Sequence, residues 1–298
     1  LSTSRMRMFG QSTDSFIFYH LFSLKSGKKL REFQEVFHTT KTTEFFVSLI
    51  SYIKKYHLEK DVDTCSFLCG FICHYVLDSI IHPYVYYKTG YFNKKDSKTY
   101  QYNNLHLLME VFLDNYLILD REKENPYQFP ITDFCFDMKS FSPGLNKVIR
   151  STFQDVFSIS DMDKKYYQSL KDMKFSLRAF RQDRFGVKRF VYRLVDSITP
   201  RSFFKFEAVS YHCPLKTKYQ FLNFHHHIWR NPTTYSITSR ESFYDLYARA
   251  LKTAKSTIEK TFSYLDGDDV DLSCVFTNLS YLTGLDCDLD KELKYFEF

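Results

Sequence analysis

Glycine and proline are scarce in this chain, with eight and seven residues among 298. A many-stranded β protein of this length would need both at its turns, so long helices are expected instead. No two cysteines stand in a CxxC pair, which disfavours a thiolate zinc site. No apolar run approaches the ~20 residues that a membrane-spanning helix needs, and no secretory signal is visible. The chain begins at Leu1 rather than Met, so a truncated N-terminus is expected. Of the seven cysteines, Cys65, Cys69 and Cys73 recur at i, i+4 and i+8. That spacing lines one helix face with thiols that act as small apolar side chains, not as a disulfide framework. The pattern suits a reducing compartment, and a cytoplasmic location is expected.

What is abundant is aromatic. Phe (32) and Tyr (23) are heavily used within an ordinary balance of 44% hydrophobic and 26% charged residues. A chain of this length buries a substantial core as one large domain or two smaller ones. The formal charge of +6 is unevenly spread. Twelve Lys/Arg face three acids between Lys164 and Lys205, and nine acids face two lysines from Asp266 onward. A basic stretch attracts lipid headgroups or nucleic acid, or is simply a solvated helix face.

Residues 1–13 carry no periodic signal, and Lys25 to Lys29 read as a loop. From Thr43 to His57 the residues Phe45, Phe46, Leu49, Ile50 and Ile53 follow helical spacing, with Thr42 or Thr43 as the expected cap. The next helix is expected from about Asp63 to His82, apolar nearly all round and ended by Pro83. Asn103 or Asn104 opens another, through about Leu119. The segment 125–130 breaks the pattern, and helices are expected over 143–158, 161–182, 186–198 and 240–264. No internal repeat is evident, and no linker argues for two separate domains. A helical domain over 1–265 is expected, with 266–298 as an acidic extension packed on it or trailing from it.

Two helices carry the chemistry. His74, Asp78 and His82 are spaced i, i+4, i+8, and His106, Glu110 and Asp114 repeat that spacing. Four residues are about one helical turn, so each triplet forms a row on one face. Imidazole and carboxylate are the ligands zinc uses when thiolates are absent. A lone histidine on an apolar helix is more often a core residue than a ligand. Here, however, burying Asp78 and Glu110 without a cation would cost several kcal/mol each. A metal site between two helices is therefore expected.

These residues resemble a known family. Gly70-Phe71-Ile72-Cys73-His74-Tyr75-Val76-Leu77-Asp78-Ser79-Ile80-Ile81-His82-Pro83-Tyr84 closely resembles the GF-x-CH-x-x-LDS-x-x-HPY signature of bacterial zinc-dependent phospholipase C proteins. His106, Glu110 and Asp114 look like that family's second metal helix, H-x-x-x-E-x-x-x-D. The stretch Gly10 to Tyr19 resembles its GQ-x-x-D-x-x-FFY element, and His38 with Thr42 to Phe46 its H-x-x-x-T-x-x-FF element. Trp229 to Pro232 and Ser242 to Tyr247 look like its late helix. The resemblance spans about residues 9–262. Its central element is highly specific, and the outer ones are weak alone.

The resemblance implies an all-α, single multi-helix domain of the zinc-dependent phospholipase C and single-strand nuclease type. It implies that Asp14, His38, His74 and Asp78 hold one zinc ion and that His82, His106 and Glu110 hold a second. Asp14 would also act as the base that orients the attacking water, and Asp114 would orient a ligand histidine. The family's third ion usually takes groups near the chain start, and nothing equivalent precedes Asp14 here. Truncation is the favoured explanation, absence of that third site the other.

The implied function is a zinc phosphodiesterase acting on phospholipid headgroups, with peripheral membrane contact. A single-strand nuclease and a catalytically impaired metal-binding relative remain as alternatives. Phe16, Phe18, Tyr19, Tyr84, Tyr86 and Tyr87 either line a cleft for a cationic headgroup or belong to the core. His225-His226-His227 point in different directions on a helix and read as an exposed turn.

Overall fold

The computed structural model describes residues 3–20, 27–136, 140–181, 183–201, 205–211, 220–289 and 292–297. In chain order it forms α1 (Thr3–Phe9), a 3-10 turn (Ser12–Phe18), α2 (Lys28–Thr39), α3 (Thr42–Lys55) and α4 (Val62–Thr89). After a second 3-10 turn (Ser97–Tyr102) follow α5 (Leu105–Leu117), α6 (Ile131–Cys135), α7 (Pro143–Phe157), α8 (Met162–Phe180), α9 (Val187–Ile198) and α10 (Phe206–Val209). Two short strands, β1 (Trp229–Asn231) and β2 (Thr234–Ser239), precede α11 (Phe243–Asp266) and α12 (Leu272–Val275). The described residues are thus mostly helical with one small hairpin, whose register pairs Trp229 with Ser239 and Arg230 with Thr238.

The chain folds as two compact units. One comprises Leu1–His82, Ile131–Ser176 and Tyr247–Asp290, and the other Pro83–Pro130, Leu177–Leu246 and Lys291–Phe298.

The first unit is built on aromatic packing. Phe45, Phe46, Leu49, Ile50 and Ile53 form one buried face of α3, which packs on α7 through Leu145, Val148, Ile149 and Phe153. Phe37 meets Phe45 edge-on at 4.8 Å between centroids, and Phe67 meets Phe71 at 4.2 Å. Such pairs add roughly 0.5–1.5 kcal/mol each to the area they bury. Phe67, Leu68, Cys69, Phe71 and Ile72 of α4 are all fully buried. By length and a mean hydropathy of 1.5, α4 resembles a membrane span, but 83% of that window is buried inside the protein. It is a core helix. The expected thiol stripe lies on it, and burial pushes Cys65 up to about 11 and Cys69 to about 12, which leaves both thiols protonated and inert. No disulfide forms among the described residues.

In the second unit Met109, Val111, Phe112 and Leu113 of α5 are buried. Phe112 meets Phe221, and Tyr84 meets Trp229, with centroids 5.4 and 5.3 Å apart. The Trp229 indole donates to the Glu241 carbonyl at 3.0 Å, and Lys88 pairs with Glu297 at 2.6 Å.

Several sequence expectations need correction. Residues 1–13 carry no periodic signal, yet Thr3–Phe9 is helical. Only Met8 and Phe9 of that helix are buried, too few to show a period. Pro83 does not end α4, which continues to Thr89. An internal proline costs ~3 kcal/mol. Burying Tyr84 and Val85, at about 1.5–3 kcal/mol each, offsets it. Thr42 and Thr43 do not cap α3, whose N-cap is Lys41 with positive φ. The Thr43 hydroxyl instead donates to the Phe276 carbonyl at 2.6 Å, and Thr42 is buried.

Gly70 sits where α4 touches the turn after α1. A Cβ there would lie 2.8 Å from the backbone of Phe9 and Gly10. Alanine in mid-helix normally gains ~1 kcal/mol over glycine, but here two backbones would have to part. Gly70→Ala should therefore lower stability by about 1–3 kcal/mol, read as a shifted denaturation midpoint with unchanged slope.

Candidate metal centre

Within the first unit, three separate elements bring ionisable side chains to one place. On α4, His74, Asp78 and His82 stand on successive turns, with side chains 7%, 8% and 12% exposed. The last turn of α2 supplies His38, fully buried. The 3-10 turn supplies Asp14, whose side chain is 36% exposed and is the most accessible of the five. That turn is anchored at Ser15, whose hydroxyl lies 2.8 Å from that of Ser169 on α8. It is held against α4 by the Gly10–Gly70 approach, one helical turn before His74.

The donor atoms crowd together. His38 Nε2 lies 3.4 Å from Asp14 Oδ1, and His74 Nε2 lies 3.6 Å from Asp14 Oδ2 and 3.1 Å from Asp78 Oδ2. His82 Nδ1 lies 3.7 Å from Asp78 Oδ2. Burial disfavours the His74 imidazolium, but the carboxylates of Asp78 and Asp14 outweigh it and raise its pKa. Burial also works against the Asp78 carboxylate, and the charges of His74 and His82 hold its pKa low all the same.

Whether these groups suit a metal ion can be judged from the geometry. Ligand atoms of Asp14, His38 and His74 all lie within 4.8 Å of one another. Two atoms bound to one tetrahedral zinc at ~2.0–2.2 Å are about 3.3 Å apart, close to the 3.1, 3.4 and 3.6 Å found here. Moreover, His74 Nε2 and Asp78 Oδ2 are buried without a hydrogen bond, although only 3.1 Å separates them. Their proximity satisfies the distance of an ion pair but not the angles of a hydrogen bond. Buried polar atoms left in that condition are costly, and a cation beside them would satisfy both. The residues fit a zinc ion.

Sequence patterning did not reveal the supporting groups. The Gln34 amide nitrogen lies 3.0 Å from both Asp14 Oδ1, to which it donates, and His38 Nδ1. Thr13 Oγ1 is 3.1 Å from His38 Nε2. Tyr281, from the acidic segment after α11, stacks flat on His38 with centroids 4.7 Å apart and planes 1° from parallel. Its backbone N–H donates to the His38 carbonyl at 2.9 Å. Its own carbonyl accepts from His82 Nδ1 at 3.0 Å, which leaves His82 Nε2 as the ring's lone-pair donor. Gln34 lies one turn before His38 and Thr13 just before Asp14, so proximity was a usable signal for both. Nothing local marked Tyr281.

In the second unit, α5 places His106 Nε2 at 2.9 Å from Glu110 Oε1, with the Tyr86 ring 4.8 Å from that of His106. Asp114 accepts from the Tyr211 hydroxyl at 3.1 Å. Of the aromatic residues considered for a headgroup cleft, Phe16 and Tyr84 are fully buried core. His225, His226 and His227 are exposed ahead of β1, and His226 Nδ1 donates to the Arg240 carbonyl at 3.0 Å.

The sequence profile of the family described as zinc dependent phospholipase C matches residues 15–163, half of the chain. The chain belongs to the zinc-dependent phospholipase C family. The matched segment contains His38, His74, Asp78, His82, His106, Glu110 and Asp114, and it begins one residue after Asp14. No curated protein and no solved structure matches the chain.

For this phospholipase C family member, zinc should stabilise the fold by mass action, by ~2.7 kcal/mol at a hundred times its dissociation constant. Differential scanning calorimetry with and without zinc reads this as a raised midpoint. Asp78→Asn should weaken zinc binding tenfold or more, measured by competition with a chromogenic chelator. Equal affinity in the variant would remove Asp78 from the site.

Proposed function

We propose that the protein hydrolyses the headgroup phosphodiester of phospholipids, releasing a phosphorylated headgroup and a diacylglycerol. The observation that carries this is the Asp14–His38–His74 cluster with the buried, hydrogen-bond-deficient pair His74 and Asp78, on a chain of this family. In this reading Asp14, His38, His74 and Asp78 hold one zinc ion. The family resemblance assigns a second ion to a ligand set that includes His106 and Glu110. Zinc, when bound, acts as a Lewis acid that acidifies water and neutralises charge developing on the phosphoryl oxygens.

The remaining work falls to the chain itself. His38 and His74 are buried, and their rings are fixed by Tyr281, with centroids at 4.7 and 5.6 Å, so neither has to reorganise on ligand binding. Gln34 donates to Asp14 Oδ1 and fixes the carboxylate plane, with Oδ2 turned towards His74. Since Asp14 is the most exposed member, it is the group a substrate water meets first. We assign it the role of accepting a hydrogen bond from that water and aligning it for in-line attack. Asp114 is held by Tyr211 and serves as a positioning residue on α5.

Zinc-loaded protein offered phosphatidylcholine and single-stranded DNA in parallel should release phosphocholine from the first. Cleavage of DNA alone would replace this reading with the nuclease one. Stoichiometric zinc with no turnover on any phosphodiester would mark a binding protein. Asp14→Asn should lower kcat about 10²-fold or more, with a smaller change in KM.

A further inference from the structure

The twelve residues of α9 carry Val187, Phe190, Val191, Leu194, Val195 and Ile198 at i, i+3, i+4, i+7, i+8 and i+11. That spacing makes one continuous apolar face, normally the face a helix turns to its core. In α9 the opposite happens. No residue of the helix is buried, and Val187, Phe190, Leu194 and Ile198 are 61%, 69%, 59% and 80% exposed. Phe185, just ahead of the helix, is 84% exposed.

The polar face makes the contacts with the rest of the second unit. Lys188 Nζ and the Tyr192 hydroxyl donate to the Ala179 carbonyl at 3.1 and 2.7 Å. Arg189 Nε and Arg193 Nε both donate to Glu207 Oε1, at 2.9 and 2.7 Å. The Asp196 carboxylate accepts from the backbone N–H groups of Phe206 and Glu207, both at 2.9 Å. At the other end, Asp183 accepts from the Val187 N–H at 2.8 Å. The helix is therefore capped, fastened by its charged side, and oriented with its apolar side outward. A solvated stripe of this size forgoes the burial that normally stabilises a surface helix.

Charge identifies what covers it. Residues 177–201 hold seven Lys/Arg and two acids, and Arg184 and Arg201, at either end of the apolar face, are exposed. A second copy docking face to face would bring two such cationic rims together, a like-charge penalty. Nucleic acid would need the cations arrayed outward, whereas Lys188, Arg189 and Arg193 are engaged with the protein. An anionic lipid surface meets both requirements, with acyl chains for the apolar stripe and headgroup phosphates for the cationic rim.

We propose that α9 is an interfacial helix that lies in the plane of an anionic phospholipid surface, with Val187, Phe190, Val191, Leu194 and Ile198 inserted. This stands on α9 alone and does not depend on the catalytic reading.

The test uses the zinc-loaded full chain and vesicles of phosphatidylglycerol and phosphatidylcholine. Co-sedimentation should show binding that weakens at least tenfold between about 0.1 and 0.5 M salt and is at least tenfold weaker on pure phosphatidylcholine. The double substitution Phe190→Asp with Leu194→Asp should reduce binding at least tenfold without lowering the thermal midpoint. A Phe190→Trp variant should show a blue-shifted emission on adding anionic vesicles. Unchanged binding in the double variant, or no spectral shift, would overturn the proposal. So would a fall in its midpoint, or a wild-type dimer that it dissociates, since either shows the face covered by protein. Turnover of a soluble phosphodiester, bis(p-nitrophenyl) phosphate, should be equal in wild type and double variant. Absence of that turnover in both, with wild-type vesicle binding intact, would sink the catalytic reading and leave this one standing.

Discussion

His74 and Asp78 stand one turn apart on a helix that is otherwise apolar and buried, and the first unit is arranged around that fact. Taking an imidazole and a carboxylate out of water costs several kcal/mol, and their mutual attraction recovers only part of it. Neither has its hydrogen-bonding satisfied by the other. A bound cation would supply the remaining compensation, and the groups around the pair suit such a site. Asp14 and His38 bring further donor atoms, while Gln34 and Tyr281 hold those donors still.

That placement depends on contacts remote in sequence. Asp14 reaches His74 because Gly70 lets the backbone after α1 lie directly on α4. His38 and His82 are tied through one residue, Tyr281, whose N–H and carbonyl bond to each in turn while its ring covers the first. The heavy use of phenylalanine has a mechanical consequence. Phe37, Phe45, Phe71 and Phe153 interlock with centroids 4.8–6.3 Å apart, so the elements bearing the cluster have little freedom to shift.

The second unit shows the same periodicity rule with the opposite outcome. In α3 an apolar stripe is buried against α7, and in α9 an equally regular stripe faces water. The difference lies in the polar residues. Those of α9 find fixed partners in Glu207, in the end of α8 and at the start of α10, and these bonds determine which way the helix faces. Spacing therefore predicts that a face exists, and its partners decide where it points.

Much was legible in the sequence. The helical class followed from scarce glycine and proline, α3 from a 3.6-residue apolar period, and α4 from being apolar nearly all round. The row His74, Asp78, His82 followed from that period too, because residues four apart must share a helix face. Other features were not legible. Pro83 reads as a stop, and the burial of residues beyond it, Tyr84 and Val85 among them, carries α4 past it. The acidic segment after Asp266 has no periodic signature, yet Tyr281 within it lies flat on His38. Sequence determined which residues stand on one face of one helix, since that is a property of the helical repeat. Which faces meet, and which are left to the solvent, was decided by tertiary structure, because contacts between distant segments leave no mark in either segment's own pattern.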